Sequence, residues 1–301
     1  MEMGFVENNI EDWKKAGEIT GKAIQYGKEL IVVGANIREV LDRIEEYVYS
    51  FGADMAFPAQ ISVNQVAAHQ CAEPDDDTVF KEGDLIKLDL GAEVTGAVGD
   101  SAVTVDLGGN EKLAEASREA LKKALLMLKP GVRVCDIGKV IEETINSYGF
   151  NPVRNLTGHG VGINSIHEAP SIPNFDNNDT TELKDNQLIA IEPFATDGEG
   201  YVHERGSATI YMQVDQKSVR SQFARDLLRL IEKRKGLPFT TRWLTKEMPL
   251  LKVRLGLKEL LKHGVVKEFP PLAEKSDGMV SQSEHTVIVR DEPIITTKIS
   301  S

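Results

Sequence analysis

Apolar residues recur at helical spacing in two stretches near the start of the chain, and this pattern predicts two helices. The first helix spans residues 9–33 and ends before Gly34. The second begins at Asn36, which is followed three positions later by a glutamate in a capping-box-like start, and it closes at Gly52. The opening of the chain therefore predicts a helix pair.

A second predicted helix pair follows, and its second helix is again preceded and followed by glycine. When the sequence is shifted by 97 residues, this part of the two pairs aligns. Residues 34–52 and 131–149 share six identities in 19 positions. Strands are expected after each pair, so the pattern predicts a repeated unit of two helices and a β segment. Amphipathic helices also resemble one another by chance, which is the alternative interpretation. The identities are Gly34/Gly131, Ile44/Ile141, Glu45/Glu142, Glu46/Glu143, Ser50/Ser147 and Gly52/Gly149.

Residues 84–106 alternate apolar and polar side chains on both sides of a turn near residues 94–96, and so predict a β-hairpin. Asp89 and Asp100 lie equidistant from that turn, which makes them approximate cross-strand neighbours on one face. Two carboxylates placed there repel each other unless a cation lies between them. Two solvated aspartates are the alternative. The position of Asp89 inside an apolar strand favours a metal site.

Three further candidate ligands accompany strand patterns. Residues 187–195 predict an apolar strand that carries Glu192 near its end, and residues 284–290 predict a strand with Glu284 at its start. His159 is flanked by glycines. Each glutamate alone could be a solvated strand end. Together with the two aspartates, the set gives four carboxylates and one imidazole. Such ligands suit paired Mn, Fe, Co or Zn ions, which activate a shared water for hydrolysis.

Residues 217–268 differ from the rest of the chain in charge and in pattern. They contain 14 Lys and Arg against five Asp and Glu, a local net charge of +9. Because the whole chain carries −12, the remainder carries −21. Two helical patterns followed by a short strand predict a winged-helix-like insertion into a catalytic domain formed by residues 1–216 and 269–301. The simpler interpretation of this positive charge is a solvated helical face. The more specific interpretation is a contact surface for nucleic acid or the ribosome.

Composition narrows the class of protein. The chain has 301 residues, of which 41% are hydrophobic and 27% charged, as is usual for a globular protein. The sequence has no apolar run near 18 residues and no signal-peptide pattern at its start, so we expect no membrane span and no secretion. The two cysteines, Cys71 and Cys135, indicate a reducing compartment. We therefore expect a cytoplasmic protein.

Seven motifs in sequence order carry a resemblance to a known family. The chain resembles the type 2 methionine aminopeptidases in their archaeal form, which are M24 metallopeptidases. The match runs from residue 57 towards the C-terminus, and the position of the insertion also agrees. The motifs are FPAQISVNQVAAH (57–69), KLDLG (87–91), GDSAVTV (99–105), NLTGHGVG (155–162), SIH (165–167), AIEPFAT (190–196) and SEHTVIV (283–289).

The resemblance implies a fold and an activity. The fold would be the α/β pita-bread fold, in which two pseudo-symmetric halves surround a curved antiparallel sheet with the metals at its centre. The activity would be removal of the N-terminal methionine from nascent polypeptides with a small second residue. Two divalent metal ions, Co, Mn, Fe or Zn, would be the cofactors, and the protein would be a monomer.

The same resemblance assigns metal ligands. Asp89 would chelate the first metal, and Asp100 and Glu284 would bridge both metals. His159 and Glu192 would complete the second site. These are the five residues that the pattern of carboxylates and imidazole had already singled out.

It also assigns residues to catalysis and substrate binding. His69 and His167 would hold the substrate amide and help to stabilise the tetrahedral intermediate. Glu192, rather than Glu284, would move the proton to the leaving amine. An apolar pocket would take the methionine side chain. Candidates for its wall are Phe57, Pro58 and Ile166.

Two rival functions remain open at this point. The first is a prolidase or aminopeptidase P-like hydrolase of X-Pro peptides, against which the insertion and the segment at 57–69 both argue. The second is a pita-bread relative that binds nucleic acid or protein and has lost its metals, although all five ligands are present here. Cys71 stands where the resembled family often has Thr, and Glu168-Ala169 follows His167 in place of Ala-Gly. Both departures fall at the rim of the expected site.

Overall fold

The structure is a computed structural model that describes residues 10–299. The stretch for which we expected no signal peptide lies largely outside the described residues, as does residue 9 of the first predicted helix. Within residues 10–299, no helix is long and apolar enough to cross a membrane.

Helices and strands are interleaved along the described chain. The helices are α1 (Ile10–Leu30), α2 (Ile37–Ser50), α3 (Glu111–Leu126), α4 (Val134–Ser147), α5 (Gln222–Ile231), α6 (Thr241–Leu244) and α7 (Leu250–Lys262). The strands are β1 (Asp54–Val63), β2 (Val66–Ala68), β3 (Leu85–Val94), β4 (Ala97–Asp106), β5 (Asn151–Pro152), β6 (Thr157–Gly162), β7 (Ser165–Pro173), β8 (Leu188–Ile191), β9 (Phe194–Thr196), β10 (Val202–Glu204), β11 (Ile210–Gln213), β12 (Phe239–Thr240), β13 (Val266–Phe269), β14 (Leu272–Glu274), β15 (Val280–Gln282), β16 (His285–Ile288) and β17 (Ile294–Ile295).

The predicted duplication of the helix pair is confirmed. The bounds of α2 and α4 are offset by 97 residues at both ends. Gly34 and Gly131 precede these helices with the same positive φ of 87°, a conformation that glycine adopts without steric cost. Asn36 and Arg133, the residues immediately before each helix, both form isolated antiparallel bridges. Asn36 also caps α2 as predicted, since its side chain accepts the backbone N–H of Glu39 at 3.0 Å.

The predicted hairpin is also present, but its register differs from the prediction. The turn holds only Thr95 and Gly96, so Asp89 pairs with Ala102 and Asp100 pairs with Gly91. The two aspartates are therefore not equidistant from the turn as predicted, but the prediction that they are approximate cross-strand neighbours on one face is confirmed. Side chains on a strand alternate between faces, so a shift of two keeps both carboxylates on one face as diagonal neighbours.

The single strand predicted over residues 187–195 was wrong. The chain leaves β8 at Ile191 and enters β9 at Phe194, and these two strands belong to different sheets. Pro193 lies in the gap and has no N–H to donate to a strand partner. Glu192 is thus placed at a break between two sheets. The strand predicted after Glu284 is confirmed as β16.

The two halves of the molecule meet at β4 and β16. β4 belongs to the sheet β1-β3-β4 and β16 to the five-stranded sheet β17-β16-β8-β6-β7. The N–H of Glu284 donates to the carbonyl of Ala102 at 2.9 Å. The hydroxyl of Thr286 bonds both the N–H and the carbonyl of Asp100, each at 2.8 Å. Helices α1 and α2 cover the first sheet and α3 and α4 cover the second, each pair with its own apolar core.

The basic region forms a module with a separate core. Helices α5 and α7 pack on a three-stranded sheet of order β12-β11-β13, around buried side chains that include Leu227, Val253 and Leu260. Strand β11 precedes residue 217 in sequence and pairs with both β12 and β13. The division of the chain at residues 217–268 stays a prediction.

Candidate active site and metal centre

A cavity of about 760 Å³ opens where the β3–β4 hairpin meets β6, β16 and the break between β8 and β9. All seven residues singled out from the sequence line it. They are His69, Asp89, Asp100, His159, His167, Glu192 and Glu284.

Three of the candidate ligands converge closely. Ligand atoms of Asp100, His159 and Glu284 all lie within 4.8 Å of one another, and the three side chains are buried. His159 Nε2 is 3.8 Å from Asp100 Oδ2 and 3.6 Å from Glu192 Oε1. Asp89 is close enough to interact electrostatically with this group, because its carboxylate raises the pKa of both Asp100 and Glu192. The fold thus brings all five candidate ligands to one place.

His159 is suited to bind a cation through Nε2. Burial lowers the pKa of His159 to about 3, so the ring is neutral at physiological pH. Its Nδ1 lies 3.1 Å from the carbonyl of Gly160, a contact that assigns the proton to Nδ1. The lone pair of Nε2 then faces the carboxylates. A hydrogen bond from the far nitrogen to a carbonyl is the usual support of a metal-binding histidine.

The four carboxylates are held out of water beside one another. Desolvation raises the pKa of Asp89 to about 7, and desolvation together with neighbouring carboxylates raises the pKa of Asp100, Glu192 and Glu284 well above the ordinary range. Oδ1 of Asp89 and Oδ1 of Asp100 are buried, and neither has a hydrogen-bond partner within the described chain. Buried oxygens that lack hydrogen-bond donors need a partner, and carboxylates that repel one another need positive charge. Divalent cations would supply both.

His69 lies in a constrained backbone conformation at the edge of the cavity. Its φ is +64°, which is uncommon for a residue other than glycine. The Oε1 of Gln60 accepts its backbone N–H at 2.7 Å, and its ring packs edge-on against Phe269, with 5.7 Å between the ring centroids. Burial lowers the pKa of His69 to about 4. The imidazole is therefore neutral and positioned before any substrate binds.

His167 lies against His159, the candidate metal ligand. The ring centroids of His159 and His167 are 4.6 Å apart in an edge-to-face arrangement. Burial, followed by the positive charge of Lys267, lowers the pKa of His167. The lowered pKa values of His69 and His167 favour the neutral imidazole, which can present either a hydrogen-bond donor or an acceptor to the cavity.

Sequence reasoning missed several side chains at the site. Gln282 donates to two candidate ligands, and its position two residues before Glu284 was the available signal. Gln60 and Leu237 line the cavity, and neither carries a local signal. Of the three residues predicted to form the apolar wall of the methionine pocket, Phe57 and Ile166 line the cavity. Among the described residues, Pro58 is not part of the lining.

Comparison with known proteins agrees with this geometry. Residues 11–237 match metallopeptidase family M24. The chain belongs to this family.

Other M24 proteins resemble the chain over nearly its whole length. It is 44% identical to a methionine aminopeptidase of Archaeoglobus fulgidus over 286 residues, which cover 94% of this chain and 97% of that protein. A crystal structure of methionine aminopeptidase from Thermotoga maritima superposes with a TM-score of 0.72 at 26% identity, covering 99% of this chain and all of that one. The predicted pita-bread fold and the metallopeptidase class are confirmed.

The M24 fold also occurs in proteins with another specificity. A prolidase of Pyrococcus horikoshii superposes with a TM-score of 0.64 at 21% identity, over 99% of this chain and 64% of that one. This likeness concerns the fold alone. The full-length sequence matches at about 40% identity are to methionine aminopeptidases, so the X-Pro alternative is not favoured. The roles of the individual cavity residues stay predictions.

Proposed function

We propose that the protein is a methionine aminopeptidase of type 2 that uses two divalent metal ions. The cavity carries this proposal, because it gathers four carboxylates and a neutral imidazole around unpartnered buried oxygens. The enzyme hydrolyses the first peptide bond of polypeptides that begin with methionine. The type, the number of metals and the role of each residue are the proposed refinements.

Five residues hold the metals in this proposal. Asp89 serves the first ion, Asp100 and Glu284 serve both, and His159 and Glu192 serve the second. The ions supply Lewis acidity and an activated water when bound. Hard carboxylates with one imidazole suit Mn, Fe, Co or Zn.

The remaining polar groups act on the substrate. Glu192 is largely buried and lines the cavity beside the proposed metals, where it can take a proton and return it to the leaving amine. His69 and His167 are neutral and line the same cavity, where they orient the scissile amide and donate to its oxygen as negative charge develops. Their neutrality avoids placing a positive charge beside the metals.

The methionine side chain is assigned to the apolar part of the cavity. Phe57, Ile166 and Leu237 line the cavity and belong to one apolar cluster. Leu237 comes from the segment after α5, so the basic module contributes directly to the substrate pocket. This contribution is the structural support for the type 2 assignment.

The expected location and partners follow from this activity. We propose that the enzyme acts in the cytoplasm as a monomer on the N-terminal methionine of nascent chains. The charge of +9 in residues 217–268 motivates the further hypothesis of a ribosome contact. Lys258 and Lys262 on α7 are suited to its test, whereas Arg234 is not, because it is largely buried and donates to the carbonyls of Met55 and Ala56.

The first experiment measures free methionine released from Met-Ala-Ser by metal-stripped protein after addition of Mn²⁺ or Co²⁺. Metal-dependent release, with Met-Glu-Ser and an X-Pro peptide uncleaved, is the expected result. Cleavage of the X-Pro peptide alone would favour a prolidase. An absence of any cleavage with every metal would favour a binding protein.

A separate co-sedimentation assay with ribosomes tests the contact hypothesis. Changing Lys258 and Lys262 to Glu should weaken co-sedimentation, whereas the same change at Lys122 and Lys123 on α3 should not. Equal co-sedimentation of both variants and the wild type would refute a contact through α7.

A further inference from the structure

One buried amide joins two of the candidate ligands. Gln282, the last residue of β15, is fully buried. Its Nε2 donates to Asp89 Oδ2 at 3.2 Å and to Glu192 Oε2 at 3.3 Å. Asp89 lies on β3, whereas Glu192 lies at the break between β8 and β9, and in the proposed centre they serve different metals. A single side chain therefore contacts one ligand of each metal site.

The backbone of Gln282 is fixed on both sides. Its N–H donates to the hydroxyl of Thr104 at 2.8 Å, and the same hydroxyl donates to its carbonyl at 2.7 Å. Strand β15 also pairs with β9, where Gln282 faces Phe194. The amide is thus tied to the hairpin that carries Asp89 and to the strand that follows Glu192. The position of the Gln282 backbone is therefore fixed by hydrogen bonds to two separate parts of the fold.

The two hydrogen bonds select which oxygen each ligand presents. The other oxygen of Asp89, Oδ1, is buried without a hydrogen-bond partner in the described chain. The other oxygen of Glu192, Oε1, lies 3.6 Å from His159 Nε2. Each carboxylate therefore has one oxygen held by Gln282 and a second oxygen that Gln282 leaves free: Glu192 Oε1 lies beside His159, and Asp89 Oδ1 is buried without a partner in the described chain. Without the amide, both groups could rotate about their last side-chain bond.

The chemistry of the donor also suits this place. A carboxamide donates hydrogen bonds without a charge, whereas a lysine or arginine would compete with a metal cation for the same carboxylates. A glutamate would add a fifth acid to four that already repel one another. A neutral donor steadies both ligands and leaves their negative charge for the metals.

We propose that Gln282 is a positioning residue that couples the two metal sites by orienting Asp89 and Glu192 together. The inference rests on the proposed dinuclear centre and adds a residue that does not itself bind metal. Outer hydrogen-bond partners of metal ligands typically change metal affinity by about 10- to 100-fold when they are removed. Because one amide serves both ligands, its loss should weaken both sites together.

The test compares metal binding by wild type and Gln282→Met, which keeps the side-chain length and removes the donor. Calorimetric titration of the metal-free proteins with Mn²⁺ should show about 10- to 100-fold weaker binding at both sites in the variant. The absorption spectrum of the Co²⁺-loaded variant should shift as its coordination changes. Gln187→Met is the matched control, because Gln187 is a buried glutamine outside the cavity lining whose Oε1 accepts the N–H of Lys184.

Two outcomes separate this inference from the proposed function. If the wild type binds two Mn²⁺ ions and Gln282→Met binds both with unchanged affinity and spectrum, the positioning role is refuted while the metal centre stands. If the wild type binds no Mn²⁺ or Co²⁺, the dinuclear centre itself is refuted. Should Gln282→Met fail to fold, Gln282→Asn replaces it, since its shorter side chain cannot reach both carboxylates and should weaken both sites as well.

Discussion

Two buried clusters of acidic side chains lie in this molecule, and they differ in where their positive charge comes from. In the first, between α2 and the basic module, Arg242 donates to both oxygens of Glu45 at 2.8 and 2.6 Å. Arg242 also contacts Asp42, and the indole of Trp243 donates to Glu45 at 2.7 Å. In the second, the catalytic cavity, no Lys or Arg of the described chain lines the wall.

The pKa shifts in the two clusters reflect this difference in the source of positive charge. Burial alone would lower the pKa of Arg242, but Glu45 and the other acidic groups around it raise the pKa above its ordinary value. In the cavity, the pKa values of all four carboxylates are raised, and the pKa of His159 is lowered. The first cluster balances its charge within the chain and is structural. The second needs cations from solution, which is what makes it a ligand site.

The largest expected effect comes from removing Glu284, the proposed shared ligand of the second cluster. Glu284→Gln should abolish dinuclear metal binding and lower kcat/KM by at least about 10³-fold, because a metal contributes several kcal/mol of transition-state stabilisation. Methionine release and metal titration measure both effects. Glu204→Gln on β10, which is exposed and outside the cavity lining, is the control. Ordinary turnover in Glu284→Gln would overturn the ligand assignment.

The matching change in the first cluster should act on stability instead. Arg242→Met leaves Glu45 buried without its cation and should lower the free energy of unfolding by about 3–5 kcal/mol. Urea denaturation measures the loss. Adding Glu45→Gln to this variant should recover part of it, because the unpaired charge is then removed. Weakened Mn²⁺ binding in the folded variant, with stability unchanged, would contradict the contrast between the clusters.

A smaller effect is expected at the substrate-facing edge of the cavity. His69→Ala should keep both metals but lower kcat by about 10²–10³-fold, as for loss of one oxyanion donor. Kinetics alongside metal titration separates the two properties. His203→Ala on β10 is the control, since His203 is exposed and outside the lining. Loss of metal from His69→Ala would place that residue among the ligands.

The smallest effect concerns pH. In the metal-free protein the pKa of Asp89 is about 7 and the pKa values of Asp100, Glu192 and Glu284 are raised well above their ordinary values, so as the pH falls a metal must displace protons from these carboxylates. For each proton that the metal must displace, the apparent metal affinity should fall about tenfold for every pH unit by which the pH is lowered. The pKa of His159 is about 3, so this residue should contribute no proton above pH 4. Calorimetry in buffers of different ionisation enthalpy measures the protons released. An affinity that is constant from pH 6 to pH 8 would disprove this linkage.

The sequence predicted the parts of this site that depend on local pattern. The helices, the duplication and the hairpin follow from periodicity and from glycine positions, although α1 ends at Leu30 and not at residue 33, and the motifs contain all seven candidate ligand and catalytic residues. Register was misjudged because the length of a turn, rather than the midpoint of a pattern, decides which residues pair. The break at Glu192 was missed because an apolar run does not reveal that the chain changes sheets. Gln282 was missed because its partners are 193 and 90 residues away in sequence.

The attachment of the basic module has a consequence for how substrates enter. Residues 236–238 line the cavity, and they lie between two anchors: Arg234, which holds the carbonyls of Met55 and Ala56, and Arg242, which pairs with Glu45. A segment pinned on both sides cannot swing as a lid. This side of the cavity wall is therefore held in place on both flanks, and we expect a polypeptide to insert its first residues into the cavity in an extended conformation. We expect N-termini folded flat against their own domains to escape processing, whereas chains still emerging from synthesis would fit.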